Sequence, residues 1–182
     1  IARRAVKQRT IKRDPFAGYK LESVPVNHRY LTGEQFAKLT GVELPTYRLC
    51  HARDLFVFST FTGLGRADLA NLTSENIVTE PDGSRWIHIE RQKTKAECHI
   101  KLLDIPSRII DKYKGEGKDG KLFFVPATSS LCRSLKMIEE QCKLGCHLTF
   151  YMARHSFATL ICLGNGVPIE TISTVSYTHL TL

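Results

Sequence analysis

"LTFYMARHSFATL", residues 148–160, sets Arg154 and His155 side by side where a helix is expected to begin. Phe157, Leu160 and Leu163 follow at helical spacing, so that face is expected in the core. A cation near a helix start runs against the macrodipole. A purely structural role for Arg154 therefore carries a small cost, and contact with a phosphate is the stronger expectation. His155 reads either as a second phosphate ligand or as a buried histidine bracing Arg154. Tyr151, one turn earlier, reads either as core with a hydrogen-bonded hydroxyl or as part of the same polar group.

Working outward, the rest of the chain is mostly helical. In "YLTGEQFAKL" Thr32 and Gln35 form a capping-box pattern and predict a short helix. "PTYRLCHARDLFVFSTFTGLG" opens on Pro45 and closes on glycines, the usual helix asymmetry. Its "LFVF" is apolar all round and belongs in the centre of the fold. "RADLANLT" predicts another short helix. From Asn76 the period changes, and segments at Ile77, Trp86–Ile89 and His99–Leu102 predict three short strands. "EPDG" is the first turn and "RQKTKA" the polar tip of the second hairpin. A helix is expected after Pro106, then a Gly/Lys-rich loop. A helix of about fifteen residues follows in "ATSSLCRSLKMIEEQCKLG", with a Ser or Thr cap and a stop at Gly145. The helix of the opening stretch should end at "GNG", and "PIETIST" predicts a last short helix. The fold class is mainly α with a small three-stranded antiparallel β-sheet.

Composition narrows the partner. The chain has 182 residues, with 26 Lys and Arg against 18 Asp and Glu, a net charge of +8. That balance favours a polyanion, nucleic acid first. Arg3, Arg4, Lys7, Arg9, Lys12 and Arg13 precede the first acid, Asp14. Such a run can neutralise several phosphates and release their counterions. No apolar run approaches the roughly 18 residues of a membrane span, and no secretory signal opens the chain. Six cysteines scattered through periodic segments read as reduced thiols of a cytoplasmic protein. Cys142, Cys146 and His147 lack a second pair at zinc spacing, so no metal is expected.

No Walker loop, dinucleotide fingerprint, zincin helix or two-metal acidic cluster is present. What remains is a basic set with polar neighbours: Arg66, Arg91, Lys93, Tyr151, Arg154 and His155. Phosphoryl transfer without metal or other cofactor needs such a set. Guanidinium groups clamp the non-bridging oxygens and stabilise the added charge of the transition state. An ammonium or imidazole protonates the leaving alkoxide.

"TGLGRADLANL", "WIHIERQKTK…IKL" and "LTFYMARHSFATL…GVPIETIS" resemble, in order and spacing, the catalytic domain of tyrosine recombinases, the phage and transposon integrases. The resemblance covers roughly residues 29–174. It implies a mainly helical fold with a small sheet, and strand cleavage and rejoining through a 3′-phosphotyrosyl intermediate. Residue by residue, it implies that Arg154 is the arginine of the family's H-x-x-R box, with His155 the histidine that commonly follows. Tyr151 stands where the box's leading histidine belongs; a phenol can donate a hydrogen bond but is a poor base near neutrality. Lys93 matches the lysine that serves as general acid to the 5′-hydroxyl, with Lys95 beside it as a DNA contact. Asp68 matches an acidic residue that buttresses the site.

Two departures matter. The family's first arginine directly follows "TGL", but here that position is Gly65 and Arg66 comes one residue later. One residue turns a helical side chain by about 100°. Arg91, two residues before Lys93 and on the same strand face, is the other candidate for the second arginine. After "PIETIST" the family continues to Leu-Gly-His and then its nucleophile, whereas "VSYTHLTL" offers Tyr177 and His179 in the wrong order and register. The expected organisation is the end of a preceding DNA-binding domain and linker over 1–28, the catalytic domain over 29–174, and an aberrant or truncated tail over 175–182 that lacks the nucleophile. The implied partners are double-stranded DNA and further copies of the chain, as a tetramer on DNA. The alternative is a DNA-binding module of a mobile-element protein that has lost catalysis.

Overall fold

The computed structural model describes residues 6–10, 12–13, 30–92 and 97–166. Helix α1 (Gly33–Gly41) begins on the capping box that the sequence predicts. Thr32 Oγ1 accepts from Gln35 N, and the Gln35 side chain accepts from Thr32 N. Helix α2 (Tyr47–Thr62) starts from Thr46, whose side chain accepts from Leu49 N, and ends at Gly63 in the left-handed region. Helix α3 (Arg66–Asn71) follows after three residues. Strands β1 (Ile77–Thr79), β2 (Arg85–Glu90) and β3 (Glu97–Lys101) form one antiparallel sheet in the order β1-β2-β3. The "EPDG" turn closes with Gly83 N donating to Glu80 O at 2.9 Å.

Helices α4 (Asp104–Lys112), α5 (Thr128–Cys142) and α6 (Phe150–Ser156) complete the regular elements. Three boundaries differ from expectation. Helix α4 begins before Pro106, because proline is tolerated in a first turn where its missing N–H has no partner to lose. Helix α5 is preceded by Ala127, with no side-chain cap. It stops at Lys143, which takes φ +49° two residues ahead of Gly145. Past α6 the chain continues helically, as a π-helical stretch over Phe157–Cys162 and a 3₁₀ turn over Leu163–Asn165. The stop at "GNG" holds, with Gly166 left-handed. Phe157 and Leu160 are half-buried and Leu163 is exposed, so that face is less enclosed than its spacing suggests.

Helix α2 runs through the centre, as its all-round apolar sequence requires. One side packs Leu55 and Phe58 against Leu69, Ile87, Ile100, Ile109 and Phe123, from α3, the sheet, α4 and the following loop. The other packs Leu49, Ala52 and Phe56 against Leu131, Leu135, Ile138 and Met152, from α5 and α6. Between the two lies a buried acid, Asp54. Its carboxylate accepts from Lys112 Nζ at 2.6 Å, Tyr113 Oη at 2.9 Å and Arg53 Nε at 3.0 Å. Burial and the Asp54 carboxylate push the Tyr113 phenol well above its ordinary range. Asp54→Ala leaves the Tyr113 hydroxyl without its acceptor. The expected cost is about 2–4 kcal/mol, read by chemical denaturation. Ultraviolet titration should show Tyr113 moving back down in the variant.

All six cysteines are free thiols. No helix among the described residues is long and apolar enough to cross a membrane. Of the basic N-terminal run, Lys7, Arg9, Lys12 and Arg13 are exposed, while Arg3 and Arg4 lie outside the described residues. Also outside them are Lys93 and Lys95, the expected helix over 168–174, and the tail with Tyr177 and His179.

Candidate functional site

The site is built on the loop between α2 and α3. Gly63, at φ +65°, donates to Ser59 O at 2.8 Å and turns the chain out of α2. Ser59 Oγ then donates to Leu64 O at 2.6 Å, and the fully buried Leu64 pins the loop to the core. A Cβ on Gly63 would lie 2.8 Å from Phe157 Cδ1, so the ring of Phe157 rests directly on this glycine. Arg154 is three residues before Phe157 and shares its helical face. The contact thereby delivers the Arg154 guanidinium to the same loop. Its Nη1 lies 3.5 Å from where a Gly65 Cβ would be, and Asp68 Oδ2 lies 3.6 Å from that point.

Arg91 arrives from the end of β2. It is only 3% exposed. Its Nη1 donates to Gly63 O at 3.2 Å and to Asp68 Oδ2 at 3.4 Å. Its Nε is buried and has no hydrogen-bond partner among the described residues. Asp68 is the common anchor. Its Oδ2 also accepts from Gly65 N at 3.3 Å, holding the start of α3, and its Oδ1 accepts from Gln92 N at 3.2 Å. One carboxylate thus fastens the helix start, a buried guanidinium and the residue before Lys93. Asp68 and Arg91 form a buried ion pair, and removing one partner of such a pair leaves a costly uncompensated charge.

Arg66 goes elsewhere. Its Nη1 donates to Pro126 O at 3.0 Å, in the segment leading into α5. The structure therefore brings together Arg91, Arg154 and Asp68, and Arg66 is not among them. Arg154 is the fifth residue of α6, past the first turn, where the macrodipole effect has faded. The electrostatic penalty expected of a cation at a helix start therefore does not apply.

Tyr151 is 65% exposed, so the core reading of this residue is wrong. It meets half-buried His155 edge to face, with ring centres 4.6 Å apart. Ser156, which the sequence did not single out, is fully buried and accepts from Leu31 N at 3.0 Å. It ties the end of α6 to the chain entering α1. The π-helical stretch begins at the next residue, an irregularity often found at functional sites.

No family model and no curated protein matches the chain. Solved structures do. The chain resembles XerH site-specific recombinase bound to its difH substrate, with TM-score 0.66 and 19% identity over 90% of this chain and 50% of that one. It resembles a lambda integrase fragment, a dimer bound to a COC′ core site, with TM-score 0.66 and 18% identity over 98% of this chain and 66% of that one. The Tn1549 transposon integrase in complex with circular intermediate DNA gives TM-score 0.66 and 15% identity, over 99% of this chain and 71% of that one. The chain thus spans half the length of XerH. Its architecture, mostly helical around a three-stranded antiparallel sheet, is the catalytic-domain fold of the tyrosine recombinases.

Proposed function

We propose that this chain is the catalytic domain, over residues 29–174, of a site-specific DNA recombinase that cuts and rejoins strands by transesterification. One observation carries the reading. Two guanidinium groups from distant parts of the chain, Arg91 and Arg154, meet at one loop beside the carboxylate of Asp68. Such a pair suits a phosphodiester: planar donors grip the non-bridging oxygens and stabilise the charge gained in the transition state. Lys93, next to the Asp68-held Gln92, is the proposed proton donor to the leaving 5′-hydroxyl. Lys95 and the basic run from Arg3 to Arg13 are proposed duplex contacts. His155 and Tyr151 add donors at the rim. The nucleophile is a tyrosine lying after residue 174. Bond energy conserved in a phosphotyrosyl link makes ATP and metal unnecessary. Strand exchange between two duplexes calls for several protomers, and we take the working form to be a tetramer on DNA in the cytoplasm.

Two features favour a second reading, a DNA-binding module without catalysis. Gly65 stands where the family carries an arginine, and the phenol of Tyr151 replaces an imidazole. The deciding experiment joins the chain to a C-terminal segment that supplies the proposed tyrosine. The product is incubated with nicked duplexes from the ends of its element. A protein–DNA band that survives denaturant supports the recombinase. Its absence on every site tested, with duplex binding intact, hands the case to the binding module. Binding itself should weaken by about 10³-fold between 50 and 200 mM salt if some six phosphates are contacted. A flat salt response would point instead to an acidic protein partner.

A further inference from the structure

The outer face of the sheet carries a cluster that strand cleavage leaves unused. In the register of β2 and β3, His88 lies directly opposite His99, flanked by the pairs Trp86–Lys101 and Glu90–Glu97. Leu102 N donates to Arg85 O at 2.8 Å, so Arg85 and Leu102 oppose each other at a hydrogen-bonded position. Alternation along the ladder then makes His88–His99 a non-hydrogen-bonded pair, the kind whose side chains approach most closely. The two imidazole centres are 4.4 Å apart with their planes at 84°. Two imidazoles sharing one ion at about 2.1 Å hold their centres about 4.5 to 5.3 Å apart, for N–metal–N angles from a right angle to a tetrahedral one. The pair is already close to that spacing but meets edge to face, so one ring must turn for both nitrogens to face the ion. Both rings line a shallow, open depression, together with Glu80, Asp82, Ser84 and Trp86.

We propose that His88 and His99 form a two-imidazole site for a borderline divalent transition-metal ion such as nickel, cobalt or zinc, bound across β2 and β3. Imidazole nitrogen selects these ions over magnesium and calcium, which prefer oxygen. Among the described residues no three His, Cys, Asp or Glu side chains already surround one point. The imidazoles are therefore the anchor, and water completes the shell. Asp82 is already engaged, accepting from Ser84 Oγ at 2.6 Å and Ser84 N at 2.9 Å. An ion held here clips together the two strands whose connection carries Lys93. The site itself stands whether or not the chain cleaves DNA.

The chain's single tryptophan makes the test direct, because Trp86 lines the same depression. Nickel is titrated at about pH 7.5, above the ordinary imidazole range, with Trp86 emission and melting temperature recorded. The expected result is saturable quenching and a rise in melting temperature of about 3–6 °C at ten times the dissociation constant. Magnesium should produce neither. H88Q/H99Q should abolish both responses, and H99Q alone, at an exposed position, should weaken nickel at least tenfold. If nickel acts equally on the wild type and on H99Q, the ion is held elsewhere, on the six thiols for instance, and the proposal is overturned. No response in the wild type overturns it as well.

Discussion

Alanine at position 91 of the proposed recombinase, tested in the chain joined to its nucleophile, is expected to slow DNA strand cleavage by about 10²- to 10³-fold, the usual cost of losing one preorganised donor to a transition-state anion. Alanine at position 66 should leave the rate essentially unchanged. The contrast follows from where the two guanidinium groups go: Arg91 to Asp68 beside Arg154, Arg66 to the carbonyl of Pro126. R91A also strands a buried carboxylate on Asp68, which costs stability of about 3–5 kcal/mol. A lost rate could then reflect a lost fold. R91K separates the two, since it keeps a positive charge beside Asp68 but gives up the planar fork that holds two oxygens at once. Single-turnover cleavage of a nicked duplex should show R91K folded, DNA-bound and slow. Equal rates for R91K and wild type, or a larger loss in R66A than in R91K, would remove Arg91 from the clamp.

The second large effect is structural. Gly63→Ala meets two obstacles at once. An L-residue in the left-handed region costs about 1–2 kcal/mol. The new methyl would also sit 2.8 Å from Phe157 Cδ1, with Cε1 at 3.0 Å. Overpacking of that kind adds about 1–3 kcal/mol. The sum corresponds to a fall in melting temperature of roughly 5–15 °C for a chain of this size. Because Phe157 is three residues from Arg154, the damage should extend to phosphate contact in molecules that remain folded. A Phe157→Leu change in the same chain should relieve the steric part and restore some of the melting temperature, leaving the backbone part. A melting temperature within about 1 °C of wild type for G63A would show that the ring is free to step aside.

Much of this architecture was legible in the residues. Thr32 with Gln35 marked a helix start, Pro45 and Gly63 bracketed the central helix, and a change to period two located all three strands. These signals are local and the structure obeys them. The misjudged places are those where local signals compete. Lys143 takes the left-handed turn although Gly145 is the better candidate by type. Ala127 precedes α5 with a serine and a threonine close by. The buried fastening of Leu31 N to Ser156 Oγ joins residues 125 apart in sequence, and no window of sequence can show it. The site was half readable. Arg154 and Asp68 stood out from their motif, but choosing between Arg66 and Arg91 required knowing which guanidinium reaches Asp68. That is a question of three-dimensional reach, and the one-residue offset along the helix turns Arg66 to Pro126 O instead.

The wide turn over Phe157–Cys162 has a consequence for how tolerant this segment is to length change. A π turn amounts to one surplus residue lodged in an otherwise α-helical rod. Deleting a single residue there would let the rod wind regularly, and the chain beyond would keep nearly the same bearing relative to Arg154, because the lost residue and the tighter winding offset one another; a deletion within regular α6 would instead turn it by about 100°. The wide turn is therefore slack that can absorb the loss of one link. A point deletion within 158–162 should lower the melting temperature less than one within Phe150–Ser156.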